Sequence, residues 1–211
     1  MSMRPGVARR PVKPAVLNGA RPLMSPGHRP GRIIVFNGTS SSGKTSLAMA
    51  IQKLAPELQL LHLQLDSFRA MEPPGYWDAS YRELAPVRIE ALCRAMNAAA
   101  ASFARFGQDV IVDHVLTPQA LTYLLEDLKE FQLLFVKVDC GLQALEHREA
   151  LRTDRALGLA KSQFNSVHTD CSYDYEVDTT ARPASELARE LADWLSRSPP
   201  PAALARMQQP D

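Results

Sequence analysis

The chain has 211 residues, 45% of them hydrophobic, with 24 basic and 23 acidic side chains, enough for one sizeable core in a single domain. Its three cysteines, Cys93, Cys140 and Cys171, are odd in number and widely spaced, which excludes a disulfide framework and suits a reducing cytoplasm; no CxxC or HxxxH spacing suggests zinc. No apolar stretch approaches bilayer-spanning length and the N-terminus lacks an apolar signal core, so a cytoplasmic chain with no membrane partner is expected.

The first thirty residues hold Arg4, Arg9, Arg10, Lys13, Arg21 and Arg29 without an acid, and six prolines that deny them a helix or a sheet ladder. A disordered basic arm is expected over 1–30, attached to a mildly acidic body. The arm's charge could hold nucleic acid or imitate a transit peptide, but its prolines break the helix such a peptide needs. The plainer reading is a solvated tail, and nucleic acid is not an expected partner.

Ile33-Ile34-Val35-Phe36 reads as a buried parallel strand. Gly38-Thr39-Ser40-Ser41-Ser42-Gly43-Lys44-Thr45 follows at once and matches the GxxxxGKT phosphate-binding pattern. Its glycines let successive N–H groups point into one concavity, at which the next helix also aims its unpaired N–H groups. Lys44 is placed to supply charge to the β- and γ-phosphates and Thr45 a hydroxyl to Mg²⁺, while Ser40, Ser41 and Ser42 are short enough to leave the nest open. The helix is expected to carry Leu47, Met49 and Ile51 inward.

Leu60 to Leu65 predicts a second strand ending at Asp66, where strand ends line the ligand crevice of an open α/β sheet; the alternative is that Asp66 caps a turn. Arg69 to Tyr81, with Tyr76 and Trp77, is either a wall for an organic acceptor or a loop whose aromatics pack on the core. A helix from about Pro86 to Phe106 should bury Leu92, Met96 and Phe103. Val110-Ile111-Val112-Asp113 is a third strand ending in an acid, the form of a Walker B element whose carboxylate holds Mg²⁺ directly or through water. His114 reads as a structural or acceptor-contacting histidine before a proton carrier. Thr117-Pro118 starts a helix with Leu121, Leu124, Leu125 and Leu128 on one face.

Leu133 to Val138 is the fourth strand. The helix from Leu142 carries Arg148, Arg152 and Arg155 at i, i+4 and i+7, on one face if it persists to Gly158. Such a lid could close over phosphates; the alternative is a surface helix bridged through Glu146, Glu149 and Asp154. Tyr173 to Val177 is the fifth strand, Leu187, Leu191, Trp194 and Leu195 mark a closing helix, and the proline-rich stretch 197–211 should be a flexible tail.

Alternating strands and helices after a P-loop predict an α/β P-loop nucleoside-triphosphate-binding fold: a five-stranded parallel sheet, helices on both faces and an Arg-bearing lid. The phosphate loop, Leu65-Asp66-Ser67, Val110 to His114, Arg148 to Ala160 and Tyr173 to Thr179 together resemble the chloramphenicol phosphotransferase family of P-loop kinases, over residues 31 to 196. The resemblance implies transfer of the ATP γ-phosphoryl group to an alcohol, chloramphenicol in the namesake. It also implies that Asp66 is the base, with Lys44, Thr45 and the lid arginines serving the phosphates. Arg69 to Arg88 does not follow the namesake closely, so the acceptor stays open as a small-molecule hydroxyl compound. The rivals are a nucleotide-sugar kinase of the zeta-toxin type, a polynucleotide 5′-hydroxyl kinase using the basic arm, and a non-catalytic module gated by ATP. A homo-oligomer is left open.

Overall fold

The structure is a computed structural model that describes residues 29–76, 79–151 and 158–208. Most of the expected arm, together with Trp77, Arg152 and Arg155, therefore lies outside the described residues. In chain order the elements are β1 (Ile33–Asn37), α1 (Lys44–Leu54), β2 (Leu61–Gln64), α2 (Leu65–Arg69), α3 (Ala85–Arg105), β3 (Val110–His114), α4 (Pro118–Leu128), β4 (Leu133–Asp139), α5 (Leu142–Ala150), α6 (Leu159–Phe164), β5 (Tyr175–Asp178), α7 (Ala184–Ser196) and α8 (Ala203–Met207).

The five strands form one sheet in the order β2-β3-β1-β4-β5, and every pairing is parallel. The central strands β1, β3 and β4 read as near-continuous apolar runs because both faces are covered, whereas the edge strands β2 and β5 are only partly buried. Ile33, Val35, Val110, Val112 and Phe135 pack under α3, α4 and α8, whereas Ile34, Phe36, Ile111, Leu134 and Val136 pack under α1 and α7. Gln64 and Phe36 both stand opposite Asp113, and Asn37 opposite His114, so register brings these side chains to one carboxyl edge.

Several expectations need correcting. Met49 is 60% exposed, while Leu47, Ala48 and Ile51 are buried. Two residues advance roughly 200° around a helix, so Met49 cannot share the face of Leu47. On α3 the buried stripe is Cys93, Met96, Ala100 and Ala104; Leu92 is only half-buried, and Phe103 lies off the stripe at 38% exposure. The small alanines let that helix lie close to the sheet. The second strand stops at Gln64, and Asp66 sits in the first turn of α2 instead of at a strand end. The fifth strand begins at Tyr175, because the Asp174 carboxylate accepts from the Phe135 amide (2.9 Å) and from Ala202 and Ala203 N–H (2.7 and 2.8 Å). Those last bonds satisfy the start of α8, whose Ala203 is fully buried, so packing continues to Met207 where a loose tail was expected.

Candidate active site

The phosphate loop is held in its curl by positions that only short side chains tolerate. A Cβ on Gly38 would stand 2.2 Å from the Val138 carbonyl oxygen, and Gly43 sits at φ 92°, a left-handed conformation that favours glycine. Ser41 adopts φ 63°, a strained value for a residue with a side chain. The hydroxyls of Ser41 and Ser42 are buried with no hydrogen-bond partner among the described residues. Ser40 donates its N–H to Gln163 Oε1 of α6 at 2.8 Å, which ties that helix to the loop. Lys44 is buried, its Nζ donating to the carbonyls of Gly38 (2.9 Å) and Thr39 (2.8 Å) and standing 3.9 Å from Asp113 Oδ1.

Beside the lysine, Thr45 donates its hydroxyl to Asp113 Oδ2 at 2.6 Å, and Gln64 Oε1 stands 3.3 Å from the Thr45 Oγ1. His62 Nε2 lies 3.5 Å from Asp113 Oδ2 on the other side. Burial pushes the Asp113 carboxyl up, but His62, Lys44 and Thr45 outweigh it and hold the group below its ordinary value, so it is a carboxylate at neutral pH. A hydroxyl and a carboxylate in contact are hard oxygen donors, the set a small divalent cation takes with phosphate and water oxygens. No cluster of three or more His, Cys, Asp or Glu suited to a metal occurs among the described residues. By their donor chemistry Thr45 and Asp113 fit Mg²⁺, and the unpartnered Ser41 hydroxyl beside Gly43 on the cavity wall fits a polyphosphate.

Arg148 is the one lid arginine that is described, and it is anchored. Its guanidinium donates to Thr179 Oγ1 (3.1 Å), to the Thr179 carbonyl (2.6 Å) and to Cys140 Sγ (3.3 Å). Thr179 in turn donates its hydroxyl to the Ser42 carbonyl at 2.7 Å. The cation is thus positioned against the phosphate loop through the residue that follows β5. Gly43 lies between these groups, and a Cβ there would meet the Arg148 guanidinium and the Thr179 side chain at an ordinary 3.8 Å, so its left-handed φ is what calls for glycine. Glu149 is buried, with no ion-pair partner among the described residues, and accepts N–H bonds from Gly158 (2.7 Å) and Ala160 (2.9 Å) at the start of α6. The Ala160 amide, followed by Gly158, lowers its carboxyl below the ordinary value against the effect of burial.

These groups line one cavity of about 480 Å³. Ser41, Gly43, Lys44, Thr45, Asp113 and Arg148 are on its wall, as is Asp66 on the side of β2 and β3. Gly38, Thr39, Ser40 and Ser42 form the buried back of the loop and do not line it. His114, Val115 and Leu65 continue the Asp66 side. His114 is 4% exposed and, beyond the Val115 backbone beside it, neither ring nitrogen has a hydrogen-bond partner among the described residues; burial lowers its pKa to about 4, so the imidazole is neutral. In the aromatic loop, Arg88 covers the Tyr76 ring at 3.8 Å and donates to the Tyr76 carbonyl, so that tyrosine packs on α3.

Sequence reasoning missed four participants. Thr179 directly follows β5, at the carboxyl edge of the sheet, a position that the strand's polar sequence does not mark. Gln64 occupies the strand position opposite Asp113, one residue before Leu65-Asp66. Asn37, fully buried at the end of β1, accepts from Leu116 N–H (2.9 Å) and donates to the Val167 carbonyl (2.7 Å) and Tyr173 hydroxyl (2.8 Å). Gln163 carries no sequence signal at all.

The pattern of the chloramphenicol phosphotransferase-like protein family matches residues 31–196. A protein of two Mycobacterium tuberculosis strains that bears the name "putative O-phosphotransferase" is 31% identical over 206 residues, covering 85% of this chain and 88% of the relative. Among solved structures, the Mycobacterium tuberculosis APS kinase CysC in complex with AMPPNP and APS superposes with TM-score 0.59 at 20% identity, over 79% of this chain and 98% of that one. A gluconokinase from Sinorhizobium meliloti gives TM-score 0.52 at 23% identity, over 81% and 94%. At these identities the two structures speak for the shared P-loop kinase fold.

Proposed function

Because this chain belongs to the chloramphenicol phosphotransferase-like protein family, we propose that it is an ATP-dependent O-phosphotransferase that moves the γ-phosphoryl group to a hydroxyl of a small molecule. The observation that carries the reading is that Asp66 lines the same cavity as Lys44, Thr45 and Asp113. A carboxylate and a phosphate cradle thereby face one space, as in-line transfer to an alcohol requires.

Lys44 and the loop N–H groups hold the polyphosphate, and Lys44 exchanges its bonds to the Gly38 and Thr39 carbonyls for phosphate oxygens. Thr45 and Asp113 would hold Mg²⁺, which when bound would supply positive charge to the phosphates. Arg148, with Arg152 and Arg155 as further candidates, neutralises charge on the transferring group. Asp66 orients the acceptor hydroxyl and takes its proton as the new P–O bond forms and the bond to the departing ADP breaks. A carboxylate is a weak base towards an alcohol, so most of its contribution is positioning.

Chloramphenicol is the first acceptor to test, and a role in antibiotic resistance stands or falls with it. The protein is incubated with Mg²⁺, ATP and chloramphenicol, then with a library of small alcohols and nucleotide sugars, and products are read by mass spectrometry with Asp66→Asn as control. Gain of one phosphoryl group, absent in the control, is the expected result. Full transfer by Asp66→Asn would remove Asp66 as the base, and a nucleotide sugar as sole acceptor would favour the zeta-toxin type. A non-catalytic ATP-gated module predicts instead that no compound gains mass.

A further inference from the structure

The wall beside Asp66 holds a group that the transfer chemistry above does not use. His114 closes β3 at the carboxyl edge of the sheet, where ligands of open α/β sheets bind, and it lines the cavity. It is 4% exposed, and beyond the Val115 backbone beside it neither Nδ1 nor Nε2 meets a hydrogen-bond partner among the described residues. Buried side-chain nitrogens are nearly always paired, so a ring left with an unpaired nitrogen is a group awaiting a partner. The backbone that presents it is fixed: the Leu116 amide, two residues on, donates to the buried Asn37 side chain at 2.9 Å. A neutral imidazole offers one N–H donor and one acceptor.

We propose that His114 is an acceptor-binding residue that hydrogen-bonds a second polar group of the acceptor, beside the hydroxyl served by Asp66. This rests on the phosphotransferase reading and deepens it. The partner group is an uncharged hydroxyl, amide or carbonyl. The carboxylates of Asp66 and Asp113 flank His114 on this wall and disfavour an anionic group there, while the cavity's cations, Lys44, Arg148 and Arg182, are placed for the phosphates. His114 then acts through binding and orientation, and selects acceptors that carry two polar groups over those with a lone hydroxyl.

The test is His114→Leu, close in size but without polar atoms, measured three ways. In the unliganded protein the thermal midpoint should rise by roughly 2–4 °C, because a buried unpaired group is removed. For whichever compound of the panel above the wild type phosphorylates, KM should rise by ~10-fold or more, with the dissociation constant of a non-hydrolysable ATP analogue unchanged. The ring-nitrogen NMR signals absent from His114→Leu should move in the wild type when that compound is added. An unchanged KM, or a lowered midpoint as for a histidine that merely packs the core or binds buried water, overturns the proposal. If a panel compound moves the ring signals yet is never phosphorylated, His114 stands and the phosphotransferase reading fails. If no compound moves them, His114 is no acceptor-binding residue.

Discussion

On the phosphate wall of the cavity the charged side chains and Thr45 are already satisfied, Lys44 by loop carbonyls, Thr45 by Asp113, and Arg148 by Thr179, which itself bonds the loop, while the Ser41 hydroxyl has no partner among the described residues. The opposite wall is built otherwise, with Asp66 exposed on the first turn of a five-residue helix and His114 buried without a side-chain partner among the described residues. A polyphosphate has the same shape in any nucleotide, so its cradle can be formed in advance and tied to itself. An acceptor varies, and the wall that greets it carries the His114 ring, which has no side-chain partner among the described residues. The difference teaches that removing acceptor-wall groups should cost turnover while leaving the fold intact, whereas removing phosphate-wall groups should disturb nucleotide binding or stability.

The largest expected effect is that of Asp66→Asn. Turnover should fall about 10²–10⁴-fold while affinity for a non-hydrolysable ATP analogue survives, as calorimetry and the mass-spectrometric assay would show. A parallel loss of nucleotide affinity would erase the distinction between the walls. Lys44→Ala comes next: loss of the buried ammonium should lower both nucleotide affinity and turnover by about 10²–10³-fold.

Glu149→Gln tests how the region behind the phosphate wall is held, apart from chemistry. A buried carboxylate accepting two backbone N–H bonds is replaced by an amide, and stability should drop by about 1.5–3 kcal/mol in urea titrations. The folded carboxyl is held below its ordinary 4.5, so its stabilisation is complete above that value and is lost as pH falls through the folded one. The variant should lack this part of the acid limb, and the gap between the two proteins should narrow below pH 4.5. The smallest effect is expected of Thr179→Val. Removing the hydroxyl that joins Arg148 to the Ser42 carbonyl should cost about 1 kcal/mol and weaken nucleotide binding a few-fold, seen as a shift in the calorimetric titration.

How much of this was legible beforehand depends on the range of the interaction. The phosphate loop, the apolar strands before and after it, and Asp113 follow from contiguous residues, because strand burial and the loop's glycine spacing are local properties. Where local pattern was read with the wrong period, at Met49, the helix placed the side chain outside. Three consecutive prolines suggested a loose end, yet they bar a helix only through themselves, and Ala203 found the core a few residues later. The aromatic loop held either a wall or a packed residue, and at Tyr76 the packing on Arg88 prevailed.

By itself, the sequence determined a parallel sheet with a phosphate cradle, since the apolar runs of β1, β3 and β4 had to bury both faces, Gly38 occupies a place that a side chain would close, and Gly43 adopts a left-handed φ. Only the tertiary structure decided that β1 lies between β3 and β4, that Gln64 comes level with Asp113, and that Thr179 and Gln163 reach the loop from beyond residue 160. It also decided that Glu149 is buried as a cap and that His114 is left in the cavity wall without a side-chain partner among the described residues. Those outcomes depend on strand order and on contacts between residues far apart in the chain. No local pattern encodes which distant N–H or carbonyl a buried polar group will meet.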